Sequence, residues 1–206
     1  MANATNTSIC NSALYHLKTT KRLTDLDTDA TSTATTCKQI FYETIDALIE
    51  MHPWNFSIAR ATLSASSESP EYGYTYKFQL PTSPYCLMVE EVVNGSGYKI
   101  KDWVIAGRYI ECDSDSVMIT YRRRVSDYTE LSLLFVKTLE YLLATELAEP
   151  LARSTEIAES MQKMFRFYFS KAKRADSLQG TYKPDTDDDY SWLSSRRSSV
   201  IPNTRV

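Results

Sequence analysis

The side chains in this chain that could do chemistry are few, and their spacing decides against most of it. Glu90 and Glu91 are adjacent, so in a strand they point to opposite faces and cannot share the acid and base steps of a hydrolysis. Asp187, Asp188 and Asp189 sit in a stretch without periodicity, which lacks the rigid support catalytic carboxylates need. His16 and His52 have no Ser or Cys partner by motif, and His52 reads as a helix-end residue beside Pro53 rather than as a general base. No GxGxxG or GxxxxGK cradle for phosphate is present. Cys10, Cys37, Cys86 and Cys112 are widely spaced, form no CxxC and have only two histidines to help them, which argues for buried thiols over zinc. The expectation is no enzyme, no metal and no cofactor.

Positive charge offers a second chemistry, the binding of phosphate. In the run Arg122-Arg123-Arg124 a strand would put Arg122 and Arg124 on one face and Arg123 on the other, so the run is not one continuous grip. Arg122 and Arg124, with Lys163 and Arg166 on a later helix, are instead candidates for charged contacts to a neighbouring subunit or to a channel. A net charge of −3 over 206 residues gives no global attraction to nucleic acid or to acidic membrane. Fourteen Tyr and three Trp suit subunit contacts as well as cores. No apolar run approaches the ~20 residues that span a bilayer, and the first residues lack the basic and apolar regions of a secretory signal.

The elements that position these residues change period twice. A short helix capped by Thr7 or Ser8 buries Ile9, Ala13, Leu14 and Leu17, and a polar loop over 18–30 is tacked down by Leu23 and Leu26. A second helix from about Ser32 carries Cys37, Ile40, Phe41, Ile45, Leu48 and Ile49 and is ended by Pro53. At that junction Trp54, Phe56 and Ile58 alternate with Asn55, Ser57 and Ala59, the period of a strand. Six or so short strands follow, which predicts a compact antiparallel sheet or small barrel. Helical spacing returns from Leu131 to Leu143, is stopped or kinked by Pro150, and resumes after a cap at Ser154 or Thr155 with Ile157, Met161, Met164, Phe165, Tyr168, Ala172 and Ala175 inward.

The predicted class is α+β: a four-helix bundle from 1–53 and 126–180, an inserted antiparallel β domain over 54–125, and an extended C-terminal tail over 181–206. His52, Pro53, Trp54, Phe56 and Arg60 are the expected structural anchor between bundle and insert.

Several blocks of this sequence carry a resemblance: Ile9-Cys10-Asn11-Ser12-Ala13-Leu14, His52-Pro53-Trp54-Asn55-Phe56 with Arg60, Phe78-Gln79-Leu80-Pro81, Gly107-Arg108-Tyr109-Ile110, Tyr121, the helix around Leu142, Ala144, Leu147 and Ala148, and the terminal helix ending in Ala172 to Asp176. Together, over about residues 8 to 180, they resemble the tail tubular protein A family of short-tailed bacteriophages. The resemblance implies a structural virion protein of the tail, assembled in the bacterial host cytoplasm. It implies a head-to-tail adaptor that forms a dodecameric ring with copies of itself between the portal protein and a tail nozzle of tubular protein B type, with double-stranded DNA passing through and no membrane contact. It also implies a C-terminal docking segment for the portal, for which Tyr190, Trp192, Leu193, Arg196 and Arg197 are the matching residues. The rival reading is a host-interaction or tail-associated protein with cell-wall hydrolase activity.

Overall fold

A computed structural model of the chain describes residues 4–179. The order of elements is α1 (Asn6–His16), α2 (Ser32–Glu50), β1 (Ile58–Leu63), β2 (Tyr76–Gln79), β3 (Cys86–Asn94), β4 (Trp103–Ala106), β5 (Tyr109–Cys112), β6 (Val117–Arg123), α3 (Leu133–Leu147) and α4 (Thr155–Ser177). The described residues are therefore a mixed α+β structure of four helices and two small antiparallel sheets. The segment 181–206, including Tyr190, Trp192, Leu193, Arg196 and Arg197, lies outside them.

Each helix begins where a hydroxyl takes up a free backbone N–H. Thr5, two or three residues earlier than expected, caps α1 in a reciprocal box with Ser8. Thr31 caps α2, Ser132 caps α3 and Ser154 caps α4. Pro150 does not end the helical path cleanly. It sits in a π-helical turn, Ala148–Ala152, that closes with Arg153 at a φ of 50° and so swings the chain into α4. Helix α3 is the centre of the helical part, with α1, α2 and α4 all packed against it. Its residues Phe135, Leu139, Leu143, Ala144 and Leu147 join Ile9, Leu14, Phe41, Leu48 and Trp54 in one buried cluster.

The β part has its own cluster, built on Phe78, Val92, Ile110, Cys112, Val117, Ile119 and Tyr121. One sheet has the order β1-β6-β3 and the other β2-β5-β4, so the single sheet or barrel expected from the strand spacing is replaced by two three-stranded sheets. The segment around Lys99 belongs to neither sheet and meets β3 in an isolated bridge, Lys99 to Val93. The chain enters and leaves this part through one antiparallel pair, in which Ile58 lies opposite Arg122 and Leu63 opposite Val117. Among the described residues no helix is long and apolar enough to cross a membrane.

Candidate functional site

The place where the most sequence-predicted residues meet is the end of α2. Trp54 does not start a strand. It is fully buried, and its indole N–H donates to the Leu48 carbonyl at 2.9 Å, one of the groups a helix C-terminus leaves without a partner. Phe135 meets the indole edge-on at 5.0 Å between centroids and Phe56 lies nearly parallel to it at 6.1 Å, so the ring closes the helical cluster from below. The next residues form a 3₁₀ turn, Asn55–Ser57, because other bonds compete with strand pairing. Asn55 donates its backbone N–H to both carboxylate oxygens of Asp176 at 3.2 Å, and its side-chain amide to the Asp176 carbonyl at 2.7 Å. Ser57, buried, donates both its N–H and its hydroxyl to the Trp54 carbonyl at 2.8 Å. The period-two reading of 54–57 fails here; tertiary hydrogen bonds from a residue 121 positions away set the backbone.

The anchor is accordingly smaller on one side and larger on the other than the sequence suggests. Pro53 is exposed and acts by ending the helix, and Arg60 is exposed on β1 opposite Thr120, outside the packing. Asp176, buried near the end of α4, is the member that sequence reasoning missed. Its signal, an acidic residue on the otherwise apolar side of α4 one turn beyond Ala172, was available.

His52 completes the group, with Nε2 3.5 Å from the Asp176 carboxylate. Burial pushes the imidazole below its ordinary value; Asp176 pulls it back, while Lys173 and Arg122 add to the lowering. Such a His–Asp pair needs a nucleophile before it can do acyl-transfer chemistry, and Ser57, the hydroxyl next in the chain, is committed to the Trp54 carbonyl. The arrangement can hold the chain at this point, with the imidazole partly buried. A second His–carboxylate pair, His16 with the buried Glu140 at 3.6 Å, was equally unforeseen, and Lys137 binds the same Glu140 oxygen at 2.7 Å.

The arginine run is where the sequence reading needs correction. Arg122 is buried, and it binds the Glu90 carboxylate, the Glu50 carbonyl and, at 3.4 Å, the Ile49 carbonyl. It thus satisfies the C-terminus of α2 from the end of the central strand β6, and it offers nothing to a channel or a neighbour. Arg123 binds Glu130 and the Phe56 carbonyl. Arg124 donates to Asp46 on α2 at 2.8 Å and lies 4.7 Å from the Tyr85 ring centroid. Three consecutive arginines therefore brace the β part to α2, to the turn before α3 and to the junction. Arg124 keeps half of its side chain in solvent, and Lys163 and Arg166 are exposed on α4.

Gly107-Arg108 is a second brace. Ala106 pairs with Tyr109, leaving a two-residue hairpin with Gly107 at φ 63°, the conformation a primed turn requires of its first residue. The turn aims Arg108 at the other sheet, where it donates to the carbonyls of Cys86 at 2.7 Å and Pro81 at 2.9 Å and covers the Tyr85 ring at 4.1 Å. All four cysteines are buried and unpaired, and burial pushes the Cys37 thiol up to about 11. Among the described residues no group of three or more His, Cys, Asp or Glu could hold a metal ion. Neither a protein-family model nor a curated protein matches the chain.

Proposed function

We propose that the chain is a structural subunit of a phage head-to-tail adaptor, a dodecameric ring that joins the portal to the tail nozzle and lets double-stranded DNA pass. In this reading the four helices are a bundle, the two sheets are its inserted β domain, and the protein belongs to the virion tail. The observation that carries it is what the residues of the resemblance do. Cys10, Ala13, Leu14, Trp54, Ala144, Leu147, Ala148 and Ala172 share one buried cluster, and Asn55 is tied to Asp176. Gly107-Arg108 joins the sheets. Every one of these marks serves shape and bracing, which is the demand placed on a ring subunit that must meet two different neighbours.

The C-terminal segment is the proposed portal contact, with Trp192 as the buried anchor and Arg196 and Arg197 at its rim. Electron microscopy of the full chain mixed with portal tests the reading: a ring on the narrow face of the portal is expected, and a portal left bare at saturating protein would overturn it. Deleting residues 182–206 tests the docking segment, with unchanged portal binding as the refuting result.

A further inference from the structure

Five rings form a continuous ribbon across three helices. Tyr15 and His16 of α1 lie 6.2 Å apart, and His16 stacks on Tyr141 of α3 at 4.4 Å. Tyr141 in turn stacks on Tyr168 of α4 at 5.1 Å, and Phe167 meets Tyr168 edge-on at 5.3 Å. The ends of the ribbon are open: Tyr15 is 67% and Phe167 50% exposed. Helix α4 shows the same imbalance along its length. Its apolar arc runs from Phe169 through Phe165, Tyr168 and Met164 to Phe167, yet of its 23 residues only Ala172 and Asp176 are fully buried, because α3 covers one edge of an arc too wide for one helix. The rim of the ribbon is basic. Arg22 lies over Tyr15 at 5.7 Å, Lys171 over Phe167 at 4.1 Å, and Lys18 lines with Tyr15 and Arg22 a groove of about 620 Å³.

The opposite flank is acidic. Through their ring contacts α1 and α4 take the two sides of Tyr141, and Leu139 and Leu143, two residues away and so on the far side of α3, are buried in the core; that side is left to α2. The outer face of α2 carries exposed Tyr42, Glu43 and Glu50. The loop before α2 lies against this face through Asp27, which binds Lys38 and Tyr42 at 3.0 Å, and it adds Asp25. One molecule therefore presents an aromatic surface with a basic rim on one side and an acidic surface with an exposed tyrosine on the other.

We propose that the ribbon across α1, α3 and α4 receives the outer face of α2 of a second copy of this chain. The choice of partner rests on the ring reading above; the choice of surfaces rests on the charge and ring geometry. Two unlike, complementary surfaces on opposite flanks give a head-to-tail contact, the kind from which rings are built, and not a two-fold pair. Aromatic residues with a charged rim are the composition of a protein interface. The rings already stack on one another, so they offer edges where a nucleic-acid platform needs free faces.

Disulfide capture in the full chain tests this, since the four native cysteines are buried. Ser160 is exposed on α4 on the ribbon side, four and seven residues before Met164 and Phe167, and Gln39 is exposed on α2 one turn before Glu43. Mixed Ser160→Cys and Gln39→Cys chains, alone and on the portal, are expected to form a mixed disulfide, whereas Ser160→Cys with Ser64→Cys on the β part is not. Adding Phe167→Glu to the first chain should lower the yield at least about tenfold, as for loss of a central aromatic anchor. Lys171→Glu should lower it too, with recovery when the partner carries Glu43→Lys. Both residues are exposed, so an unchanged melting temperature separates lost contact from lost fold.

Three results overturn the proposal: no mixed disulfide either free or on the portal, Ser160→Cys pairing chiefly with itself, or efficient closure within one chain carrying Ser160→Cys and Ser194→Cys. The last would name the chain's own C-terminal segment as the occupant. A ring seen on the portal without the mixed disulfide refutes these surfaces and leaves the adaptor reading standing; the disulfide without a ring does the reverse.

Discussion

Replacing Arg122 by Met is the most informative single change, because it separates a brace from a channel contact. Met keeps much of the buried stem and removes the guanidinium. What is lost is the ion pair with Glu90 and the charge-assisted bond to the Glu50 carbonyl, plus the longer contact to Ile49. Breaking a buried pair costs about 3 to 5 kcal/mol when the abandoned charge has nowhere to go. Here the Glu90 side chain is 28% exposed and water takes over part of its solvation. The expected loss is therefore about 3 kcal/mol, near the lower bound. With a urea m-value of about 2 kcal/mol/M this moves the unfolding midpoint by about 1.5 M, with m unchanged. Glu90→Gln alone should cost less, and the double mutant should cost less than the sum, since the two act on one another. If Arg122→Met unfolds at the wild-type midpoint while assembly on the portal fails, the bracing argument is refuted and Arg122 is an interface residue.

Three further outcomes follow from the same geometry. Trp54→Ala should destabilise by about 3 to 5 kcal/mol, as for other fully buried aromatics, and Trp54→Phe by about 1 to 3, chiefly because the Leu48 carbonyl loses its donor; equilibrium unfolding measures both. His52 is held below its ordinary value near 6.5, so the unfolded chain binds this proton more readily than the folded one. The corresponding stability is present above that pH and is lost as pH falls toward the folded-state value. His52→Gln should flatten this step in urea midpoints taken between pH 7.5 and 5, and an unaltered step would show that another group sets it. Gly107→Ala should cost about 1 to 2 kcal/mol from backbone strain alone, because the added methyl group meets open space; thermal unfolding checks it.

The helices were legible because caps and periodicity are local. Leu23 and Leu26, the two large apolar residues of the polar 18–30 loop, could be placed as buried tacks for the same reason. The 54–57 segment was misread because its alternation of apolar and polar residues fits a strand, while the bonds that turn it come from Asp176 at the other end of the chain. Arg122 was misread for a related reason. A charge run in a sequence suggests solvent, and only the pairing of β6 beneath the end of α2 brings its acceptors to it. The division into two sheets depends on which strand each edge meets, and no local pattern carries that. The ribbon of rings escaped notice because its members belong to three helices, each ordinary by itself.

The β1–β6 pair has a consequence for the order in which the chain can fold. Ile58 and Arg122 are about 64 residues apart in sequence and adjacent in space. Until they pair, α2 and α3 are joined by a long tether; once they pair, what is left between them is the short segments 51–58 and 122–132 on either side of a closed neck. Shortening a loop about fourfold lowers its closure cost by about 1.3 kcal/mol, which speeds the meeting of the two helices. The β part then serves the helices as a splint set before they dock, and α4, which follows α1, α2 and α3 in the chain, locks the result by delivering Asp176 to Asn55.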